Sequence, residues 1–578
     1  MKKFIFAAMA ALAVIASSCY EDKGSYDYHD VKIVDTIAFH WSSASRTGLS
    51  IGDTALLVAN VVFTNPNENP DDWKYIWKIN HEQVAEGLTY EYIPTKTGTD
   101  YLQFYIEHKT SGMRFYMYEH SASSVYASAY TSITIASPFF AGGWHVLSKK
   151  DGNVSCVDVL IRRSEYVDFI NEYGEEDYWT RYYYDEYPDV YKSFHGEELG
   201  TNPSRMLPFF STWSQKNSHE ILVLQGTNNT ESTFLGQDDF HKVVSLKQEF
   251  ANDEWPNNSY VTDYFYGGSS NWAITNDGKL YGVIYGKNGG STNMTAFSHI
   301  YNFLTTPMVL GENSFAKRFM TEITPYITKA AIVYDSGMNS YHFFYTDTNT
   351  SSTDQGYQVK GASITLKVNG VKTSAEDYFP SANVLGNYEA LQWCFHNGSG
   401  SGGLYWVMGI KKHKETGELV YDYFDYRGAS KKVTMNVYEE NVPMPEGFTE
   451  NTPYSYDRAN KYFWFAKGKD IMFYDPTTKE TRKYTTAASN VTALCVGPAA
   501  DSRQRNQIAV GCEDKSITMY NIDNTVLQIA ATKGDAKEYG DDGMGDSYKY
   551  WETKSTGVPV QIRPRHKHTT MLIYDQID

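Results

Sequence analysis

A segment rich in tyrosine and acidic residues, between residues 165 and 198, carries the side chains best suited to hold a ligand. It contains Tyr178, Trp179, Tyr182 and Tyr183 among several carboxylates. Aromatic rings pack on the apolar faces of sugars, and carboxylates accept hydrogen bonds from hydroxyl groups. We therefore predict a platform for a glycan or a peptide at these four residues. The alternative is an amphipathic insertion that packs on the rest of the fold.

Three carboxylates in a glycine-rich turn are the best candidate for a cation site. Asp541, Asp542 and Asp546 lie close to Gly543 and Gly545, and oxygen ligands of this kind suit Ca²⁺. The spacing and the closing glutamate of an EF-hand loop are missing, so a solvated loop is the alternative. No other cofactor is expected.

Sequence signatures of catalysis do not single out any residue. Neither a phosphate-binding loop nor a His-Glu-x-x-His zinc motif is present. A glycoside hydrolase needs two carboxylates placed across a cleft, and the 69 aspartate and glutamate residues of the chain nominate no pair. We name no catalytic residue, and a polysaccharide hydrolase or lyase is the main alternative to a binding protein.

The first nineteen residues have the pattern of an export signal that ends at a lipid attachment site. Two lysines precede an apolar run over residues 4–15, which is too short to span a bilayer as a helix. The following Ala-Ser-Ser-Cys19 resembles a lipobox. We predict a lipoprotein signal peptide over residues 1–18 and acylation of Cys19, which would anchor the chain to a membrane. The alternative is an ordinary secretory signal with Cys19 incidental.

An acidic tether over residues 19–30 follows the predicted anchor. Acidic residues at this place resemble the surface-export signal of Bacteroidota lipoproteins, and a merely solvated linker is the alternative. We expect a lipid-anchored protein of the outer membrane, exposed at the cell surface. The net charge of −18 and the pI near 5.3 argue against nucleic acid as a partner, because such binding needs clustered cations.

The four remaining cysteines show neither a Cys-x-x-Cys pair nor a metal-ligand spacing. Cys495 and Cys512 fall on neighbouring strand-like runs. A disulfide between them is therefore one prediction for an oxidising compartment, and two separate thiols are the other.

These candidate residues must be positioned by strands, because the composition and the short alternating runs of the chain indicate an all-β protein. Residues 31–137 read as an Ig/PKD-like β-sandwich with strands such as 55–63 and 73–79. Within the second of these strands, Tyr75-x-Trp77 offers an aromatic side chain that is expected to fill the space between the two sheets.

Residues 138–578 change to longer hairpins, which predict an irregular β-propeller of about seven blades. Hairpin-like units recur seven times, at 144–160, 220–235, 271–285, 330–345, 403–426, 462–484 and 492–520. A last strand at Thr570–Tyr574 is predicted to pair near Trp144, because closing the ring would remove exposed sheet edges.

Four stretches together resemble the PKD-like family lipoproteins of Bacteroidota. They are Cys19–Tyr28, Tyr75-x-Trp77, Thr97-Gly98-x-x-Tyr101 and the segment from Gly143 to Gly152. The resemblance implies a PKD-like topology and an association with starch-utilisation-type outer-membrane uptake systems, with a transporter complex as partner. The Trp-Asp-Phe-Gly-Asp-Gly turn of typical PKD domains is absent, so no ligand site is carried over.

The leading hypothesis is a non-catalytic lipoprotein that holds a glycan or a peptide for an outer-membrane uptake complex. An enzyme built on the propeller is the rival, and a structural adhesin or spacer is the third alternative. A propeller supports all three.

Overall fold

The structure is a computed structural model of the 578-residue chain. The residues that it describes are 33–41, 49–50, 53–117, 131–136, 139, 142–170, 176–209, 220–226, 232–236, 239–249, 259–266, 271–282, 311–320, 330–347, 358–361, 363–368, 371–372, 385–399, 404–429, 432–498, 505–540 and 547–565. They form an all-β fold in two compact units, divided between Ala136 and Ser137. We call these the N-terminal unit and the C-terminal unit.

The N-terminal unit contains two sheets in its described part. The strands of the smaller sheet are, in spatial order, β1 (Val34–Trp41), β3 (Ala55–Phe63) and β6 (Thr89–Tyr92). The strands of the larger sheet are β2 (Leu49–Ser50), β9 (Thr131–Ala136), β7 (Gly98–His108), β4 (Trp73–Ile79) and β5 (Glu82–Glu86), with β8 (Arg114–Tyr116) beside β7. Strands β2 and β9 run parallel, and the other pairs are antiparallel.

Trp77 lies at the centre of the N-terminal unit. Its side chain is completely buried, its ring centroid is 4.5 Å from that of Phe104, and its indole nitrogen donates to the carbonyl of Gly87 at 2.9 Å. A buried tryptophan N–H usually finds an acceptor, because leaving a buried donor without one costs free energy. The expectation that an aromatic side chain of Tyr75-x-Trp77 fills the core of this unit is confirmed for Trp77.

The C-terminal unit contains seven sheets among its described residues. The strands of the first three sheets are β12 (Glu176–Tyr187), β11 (Val154–Ile170), β10 (Gly143–Lys149) and β39 (Val558–Arg565), with β13 (Gly200–Thr201) beside β11; then β14 (Pro203–Phe209), β15 (Glu220–Gln225), β16 (Thr233–Gly236) and β17 (Lys242–Ser245); then β18 (Val261–Tyr266), β19 (Asn271–Thr275) and β20 (Leu280–Gly282).

The strands of the fourth to seventh sheets are β21 (Ala316–Phe319), β22 (Ala330–Asp335), β23 (Ser340–Asp347) and β24 (Gln358–Gly361); β26 (Val371–Lys372), β25 (Ser363–Val368), β30 (Lys432–Pro443), β29 (Leu419–Ala429), β28 (Leu404–His413) and β27 (Tyr388–Ser399); β31 (Tyr454–Asp457), β32 (Tyr462–Lys467), β33 (Asp470–Asp475) and β34 (Glu480–Thr486); and β35 (Val491–Val496), β36 (Gln507–Cys512), β37 (Ser516–Asn521) and β38 (Lys549–Lys554). Two helices, α1 (Val190–His195) and α2 (Asn524–Lys533), accompany them. Each of the seven hairpins predicted from the sequence coincides with an antiparallel strand pair.

Hydrogen bonds join each of the first sheets of the C-terminal unit to the next one. Gln561 of β39 accepts from the backbone N–H of Met206 on β14 at 2.6 Å. Arg205 of β14 forms an ion pair with Asp263 on β18. The other oxygen of Asp263 accepts from the backbone N–H of Phe319 on β21 at 2.7 Å. The first four sheets are thus linked in chain order.

The same kind of contact continues around the remaining sheets and returns to the first. The contacts are, in order, Trp393 N–H to the carbonyl of Met320 at 3.2 Å, Tyr421 hydroxyl with Tyr474 hydroxyl at 3.0 Å, Val496 N–H to Ser455 Oγ at 3.0 Å, and Tyr184 hydroxyl to Gln507 Oε1 at 2.7 Å. The last of these connects the seventh sheet to the first, so the seven sheets form a closed cycle of neighbours.

The first and last strands of the C-terminal unit pair with each other. Strand β39 lies antiparallel to β10, with Gly143 opposite Arg565 and Lys149 opposite Val558. The sequence placed this closing strand at Thr570–Tyr574, which lies outside the described residues. The segment that pairs near Trp144 is instead Val558–Arg565, whose two prolines and two arginines concealed it as a strand.

Gly143 is required where the first sheet begins. A Cβ atom at this position would lie 1.9 Å from the carbonyl oxygen of Leu160 on the neighbouring strand, a distance that no side chain can occupy. The glycine of the Gly-Trp motif therefore lets β10 and β11 approach, and Trp144 beside it is completely buried.

The disulfide considered between Cys495 and Cys512 is not formed in the structure, which has two separate thiols, the alternative that the sequence left open. Cys495 is opposite Ala509, so Cys512 lies three residues farther along the partner strand. Side chains alternate between the two faces of a sheet, and Cys495 packs in one core while Cys512 packs in another. The four cysteines that the structure describes are all buried and none of them forms a disulfide.

Candidate ligand-binding cavity

Five strands of the C-terminal unit surround a cavity of about 290 Å³. The strands are β14, β27, β31, β35 and β39, which belong to five different sheets. The polar side chains that line the cavity include Arg205, Gln392, Ser455, Thr492, Gln561 and Arg563. We call this space the Arg205–Arg563 cavity. Its volume is near the lower end of the range for small-molecule pockets, about 300–1,000 Å³.

The Arg205–Arg563 cavity has cationic groups at its wall. Arg205 is held by its ion pair with Asp263, and that carboxylate is fixed by the backbone N–H groups of Tyr264 and Phe319. Arg563 is 8% exposed. Among the described residues of the lining there is no aspartate or glutamate. The wall therefore carries two guanidinium groups, and the charge of one of them, Arg205, is balanced by Asp263.

Three neutral polar side chains of the cavity already form hydrogen bonds within the fold. Gln561 uses its side-chain oxygen to accept from the N–H of Met206, which leaves its amide N–H groups as donors. Ser455 accepts from the N–H of Val496, so its hydroxyl hydrogen can be donated. Thr492 differs from these two residues, because its hydroxyl donates to the carbonyl of Gly511 at 3.3 Å. Its hydroxyl oxygen can therefore act as an acceptor for a ligand.

A second cavity of about 540 Å³ shares Gln392 and Tyr454 with the first. Two carboxylates line its described part, and each has a lysine partner. Lys317 is 3.0 Å from Glu389, and Lys412 is 2.8 Å from Glu450. The hydrogen bond from Lys412 lowers the pKa of Glu450 below its ordinary value. A general acid of a glycosidase needs the opposite shift.

The four residues of the predicted aromatic platform all lie on β12. Tyr182 is 42% exposed, Tyr183 is half-buried, and the guanidinium of Arg162 lies 5.7 Å from the ring centroid of Tyr182. For Tyr178 and Trp179 the structure describes the backbone, which pairs with β11. Tyr182 and Tyr183 are not among the described residues that line the Arg205–Arg563 cavity.

The other predicted sites fall outside the described part of the chain. Cys19 precedes the first described residue, and the segment 541–546, which includes Asp541, Asp542 and Asp546, is a gap between two described ranges. Within the described ranges, no group of three or more histidine, cysteine, aspartate and glutamate side chains is arranged to hold a metal.

One serine, one histidine and one aspartate meet in the fourth sheet, but not in catalytic order. The buried carboxylate of Asp335 accepts from Ser314 and lies 3.1 Å from Nε2 of His342. In a catalytic triad the histidine stands between the serine and the acid. Here both contact the acid, so the cluster is structural: it ties the loop before β21 to the β22–β23 hairpin.

Hydrogen bonds decide the ionisation of Asp335. Burial by itself would raise its pKa, but the contacts from His342 and Ser314 and from the backbone N–H groups of Phe315 and Met338 outweigh burial. They hold the pKa well below its ordinary value. The ionised form is therefore stabilised in the folded chain.

Acidification should weaken the C-terminal unit through Asp335. Because the folded pKa is depressed, its stabilising contribution is complete above the unfolded pKa near 3.9 and declines as pH falls below that value. We expect Asp335→Asn to lower the free energy of unfolding by about 1–3 kcal/mol at pH 7 and by less at pH 3. Urea unfolding at the two pH values measures this difference. The exposed Asp151→Asn is the control, and an equal loss at both pH values would contradict the assignment.

Sequence reasoning missed the residues of the Arg205–Arg563 cavity. Four of the five strands contribute one of these polar side chains each and β39 contributes two, from positions far apart in the chain, and no local motif marks them. The best signal lies in β39, where Gln561 and Arg563 alternate with Ile562 and Pro564. That alternation is typical of a strand with one polar face, but it carries weight only once the segment is recognised as a strand.

The described part of the chain contains no helix with the length and apolar character needed to cross a bilayer. The fold defines an all-β protein whose N-terminal part is PKD-like. The model of the PKD-like family matches residues 19–203, which confirms the resemblance seen in the sequence over about a third of the chain.

The solved structures that match the chain are distant from it in sequence. A quinonprotein alcohol dehydrogenase-like protein from Bacteroides thetaiotaomicron has 12% identity and a TM-score of 0.36, with 89% of this chain and 95% of that chain covered. A DUF4784 family protein from Bacteroides caccae has 11% identity and a TM-score of 0.30, with 78% and 96% covered. Sqt1 from Saccharomyces cerevisiae has 9% identity and a TM-score of 0.30, with 56% and 86% covered. No protein of curated function matches the chain.

Proposed function

We propose that this chain is a surface-exposed lipoprotein that binds a nutrient, a glycan or a peptide, as a non-catalytic component of an outer-membrane uptake system. The observation that carries the proposal is the Arg205–Arg563 cavity. It has the size and the polar groups of a binding site, and its described lining lacks the pair of carboxylates that glycoside hydrolysis requires.

We further propose that the C-terminal unit is a seven-bladed β-propeller. Two observations support this architecture: the closed cycle of contacts between seven sheets and the pairing of β39 with β10. Propellers are commonly closed in this way, since a ring that unites both ends of the chain protects the edges of its sheets. Strands from five sheets would then enclose the Arg205–Arg563 cavity around the axis of the ring.

The rival hypothesis of a polysaccharide hydrolase or lyase has less support. The two carboxylates at the neighbouring cavity, Glu389 and Glu450, are each neutralised by a lysine. A hydrolase acting there would need one of them protonated at neutral pH, and the pKa of Glu450 is shifted in the other direction.

A binding screen with the whole secreted chain tests the function. The Cys19→Ser variant, which cannot be acylated, would be exported, purified in soluble form and applied to glycan and peptide arrays. We expect saturable binding without turnover of the ligand. Cleavage of a bound glycan would favour the hydrolase, and an absence of any ligand would favour a structural adhesin or spacer. Trp179→Ala and Tyr183→Ala test in the same screen whether the β12 aromatic residues contribute.

Membrane attachment depends on Cys19 in this proposal. Cells that express the natural chain should incorporate labelled palmitate into it, and Cys19→Ser should abolish the label and release the protein from the membrane fraction, because two or more acyl chains are needed for a stable anchor. Cys156→Ser is the matched control, since Cys156 is buried and should not affect labelling. Protease added to intact cells then reports surface exposure. Label that persists in Cys19→Ser would refute the anchor.

A further inference from the structure

The second cavity of the C-terminal unit has the size of a ligand site. Its volume is about 540 Å³, well within the range for small-molecule pockets of about 300–1,000 Å³. Its described lining comes from β21, β27, β28, the start of β31 and the segment that precedes β31. Three different sheets thus contribute to one space.

Two ion pairs line the second cavity and keep unused hydrogen-bonding capacity. Lys317 donates to Glu389 at 3.0 Å, and Lys412 donates to Glu450 at 2.8 Å. In each pair the contact uses Oε2 of the carboxylate, which leaves Oε1 to accept from a ligand, and the ammonium group has further N–H donors. Each pair therefore offers a donor and an acceptor side by side without a net charge.

Arg318 belongs to the same cluster of charges. Its guanidinium donates to the carbonyl of Leu391 at 3.2 Å, which uses one of its five N–H donors. The hydrogen bond from Lys412 lowers the pKa of Glu450. The charge of Arg318 lowers the same pKa further, and so does the charge of Lys317. The three cations therefore lie around one carboxylate, and they face two carboxylates in the described wall as a whole.

An apolar surface lies beside these charges. Phe448 is 9% exposed, and its ring centroid is 5.7 Å from that of Tyr454, with the two ring planes 67° apart. The buried Ile410 and the half-buried Leu391 extend this surface along the wall. Apolar faces of sugar rings pack on aromatic and aliphatic side chains, while polar groups fix their orientation. The wall thus has the two kinds of surface that a sugar ring requires.

The near balance of charge favours a ligand that is itself neutral. An anionic group would meet Glu389 and Glu450 as well as the cations, and an ammonium group would find both carboxylates already paired. A hydroxyl group both donates and accepts, so hydroxyl groups can bond to either member of each ion pair. Gln392 adds a half-buried amide for which no hydrogen-bond partner exists among the described residues. An amide also offers both a donor and an acceptor.

We propose that the second cavity binds a neutral sugar unit of a glycan, with its hydroxyl groups on the two ion pairs and its ring against Phe448 and Tyr454. This inference rests on the proposed binding function and adds to it a second site and the ligand class of that site. A free peptide fits less well, because the described wall has no unpaired carboxylate for its ammonium group.

Isothermal titration calorimetry on the whole Cys19→Ser chain tests the proposal with probes of three classes. The neutral probes are maltohexaose, cellohexaose, mannohexaose and xylohexaose; the acidic probe is hexagalacturonate, and the peptide probe is tetraalanine. We expect one or more neutral probes to bind at least about 10-fold more tightly than the acidic and peptide probes, because one hydrogen bond to a charged group corresponds to about that factor. Their affinity should change little as sodium chloride is raised, since a neutral ligand has no net charge to be screened.

Two substitutions place the binding at the second cavity. Glu389→Gln and Glu450→Gln each keep the shape of the side chain and replace a charged acceptor by a neutral amide. Each should weaken the binding of the neutral probe by about 10-fold or more. Glu450 is exposed, so its replacement should not prevent folding, and thermal unfolding checks both variants.

Glu439→Gln is the matched control. Glu439 forms an ion pair of the same kind, 2.6 Å from Lys479 and partly exposed, but neither of these two residues is among the described residues that line the second cavity. The affinity for the neutral probe should stay unchanged in this variant. A loss equal to that of Glu389→Gln would show that the effect comes from the charge of the chain rather than from the cavity.

Each outcome bears on the inference separately from the function. A neutral probe that binds Glu389→Gln and Glu450→Gln as tightly as the parent chain overturns the site but leaves a binding protein. Tighter binding of hexagalacturonate or tetraalanine overturns the ligand class. If no neutral probe binds, the inference fails; the proposed function then stands where the array screen yields another ligand, and both fail where the screen yields nothing.

Discussion

Ending the chain at Gly557 is expected to prevent the C-terminal unit from folding. The truncation removes β39, which pairs with β10 along its whole length, and it also removes Gln561, which joins the first sheet to the second. Strand β10 is almost entirely buried, so its edge would lose its hydrogen-bond partners in a place that water does not reach, at a cost of about 1–3 kcal/mol for each orphaned group. Several such groups exceed a typical stability of about 5–15 kcal/mol.

A second truncation makes this expectation specific. A chain that ends at Arg565 keeps all of β39 and should give a monomer with a cooperative thermal transition. The chain that ends at Gly557 should aggregate or elute as an expanded species in size-exclusion chromatography. Equal failure of both truncations would show that the closing strand lies farther on, as the sequence pattern at Thr570–Tyr574 suggested.

Replacing Trp77 by alanine should destabilise the N-terminal unit by about 3–5 kcal/mol, the range for loss of a large aromatic side chain from a core. The substitution leaves a cavity beside Phe104 and deprives the carbonyl of Gly87 of its donor. Such a loss is a large share of the stability of a small domain. Hydrogen exchange followed by mass spectrometry resolves it, because peptides from β4 and β7 report this unit alone.

Tyr101→Ala is the matched control for Trp77→Ala. Tyr101 is an aromatic residue of the same sheet, on β7, but it is 49% exposed, and its removal should change stability by about 0.5 kcal/mol or less. Comparable exchange in the two variants would mean that Trp77 does not hold the two sheets of this unit together.

Strand positions were predictable wherever one face of a strand is apolar and its ends are marked by turns. The segments Ala55–Phe63 and Trp73–Ile79 were assigned from the sequence with the bounds that the structure gives. The alternation of apolar and polar side chains is a local property, so these strands can be assigned without knowing which strands lie beside them.

The closing strand was misplaced for a physical reason. Val558–Arg565 contains Pro559 and Pro564, and a proline within a strand normally argues against that assignment, since it cannot donate to a neighbour. Strand β39 is the edge strand of its sheet and pairs with β10 on one side only. On the other side it has no neighbouring strand in that sheet, so a proline that lacks an N–H loses no hydrogen bond there. An edge position is a tertiary property, and the local sequence does not reveal it.

The cavity residues were not predictable for a related reason. Arg205 and Arg563 are separated by most of the C-terminal unit and meet because β39 returns to the strands that begin the chain of sheets. The disulfide between Cys495 and Cys512 was considered because their two strands are neighbours. The register places Cys495 opposite Ala509, so the two sulfur atoms lie on different faces of the sheet.

The pairing of β10 with β39 also governs the order in which the chain can mature. Arg565 donates to the carbonyl of Phe139, which precedes it by 426 positions, so the unit cannot complete its first sheet until strand β39 has been synthesised. Contacts this distant in sequence slow folding, and the incomplete unit exposes strand edges that invite aggregation. The N-terminal unit can fold as soon as it has been synthesised, whereas the larger unit must wait for residues 558–565.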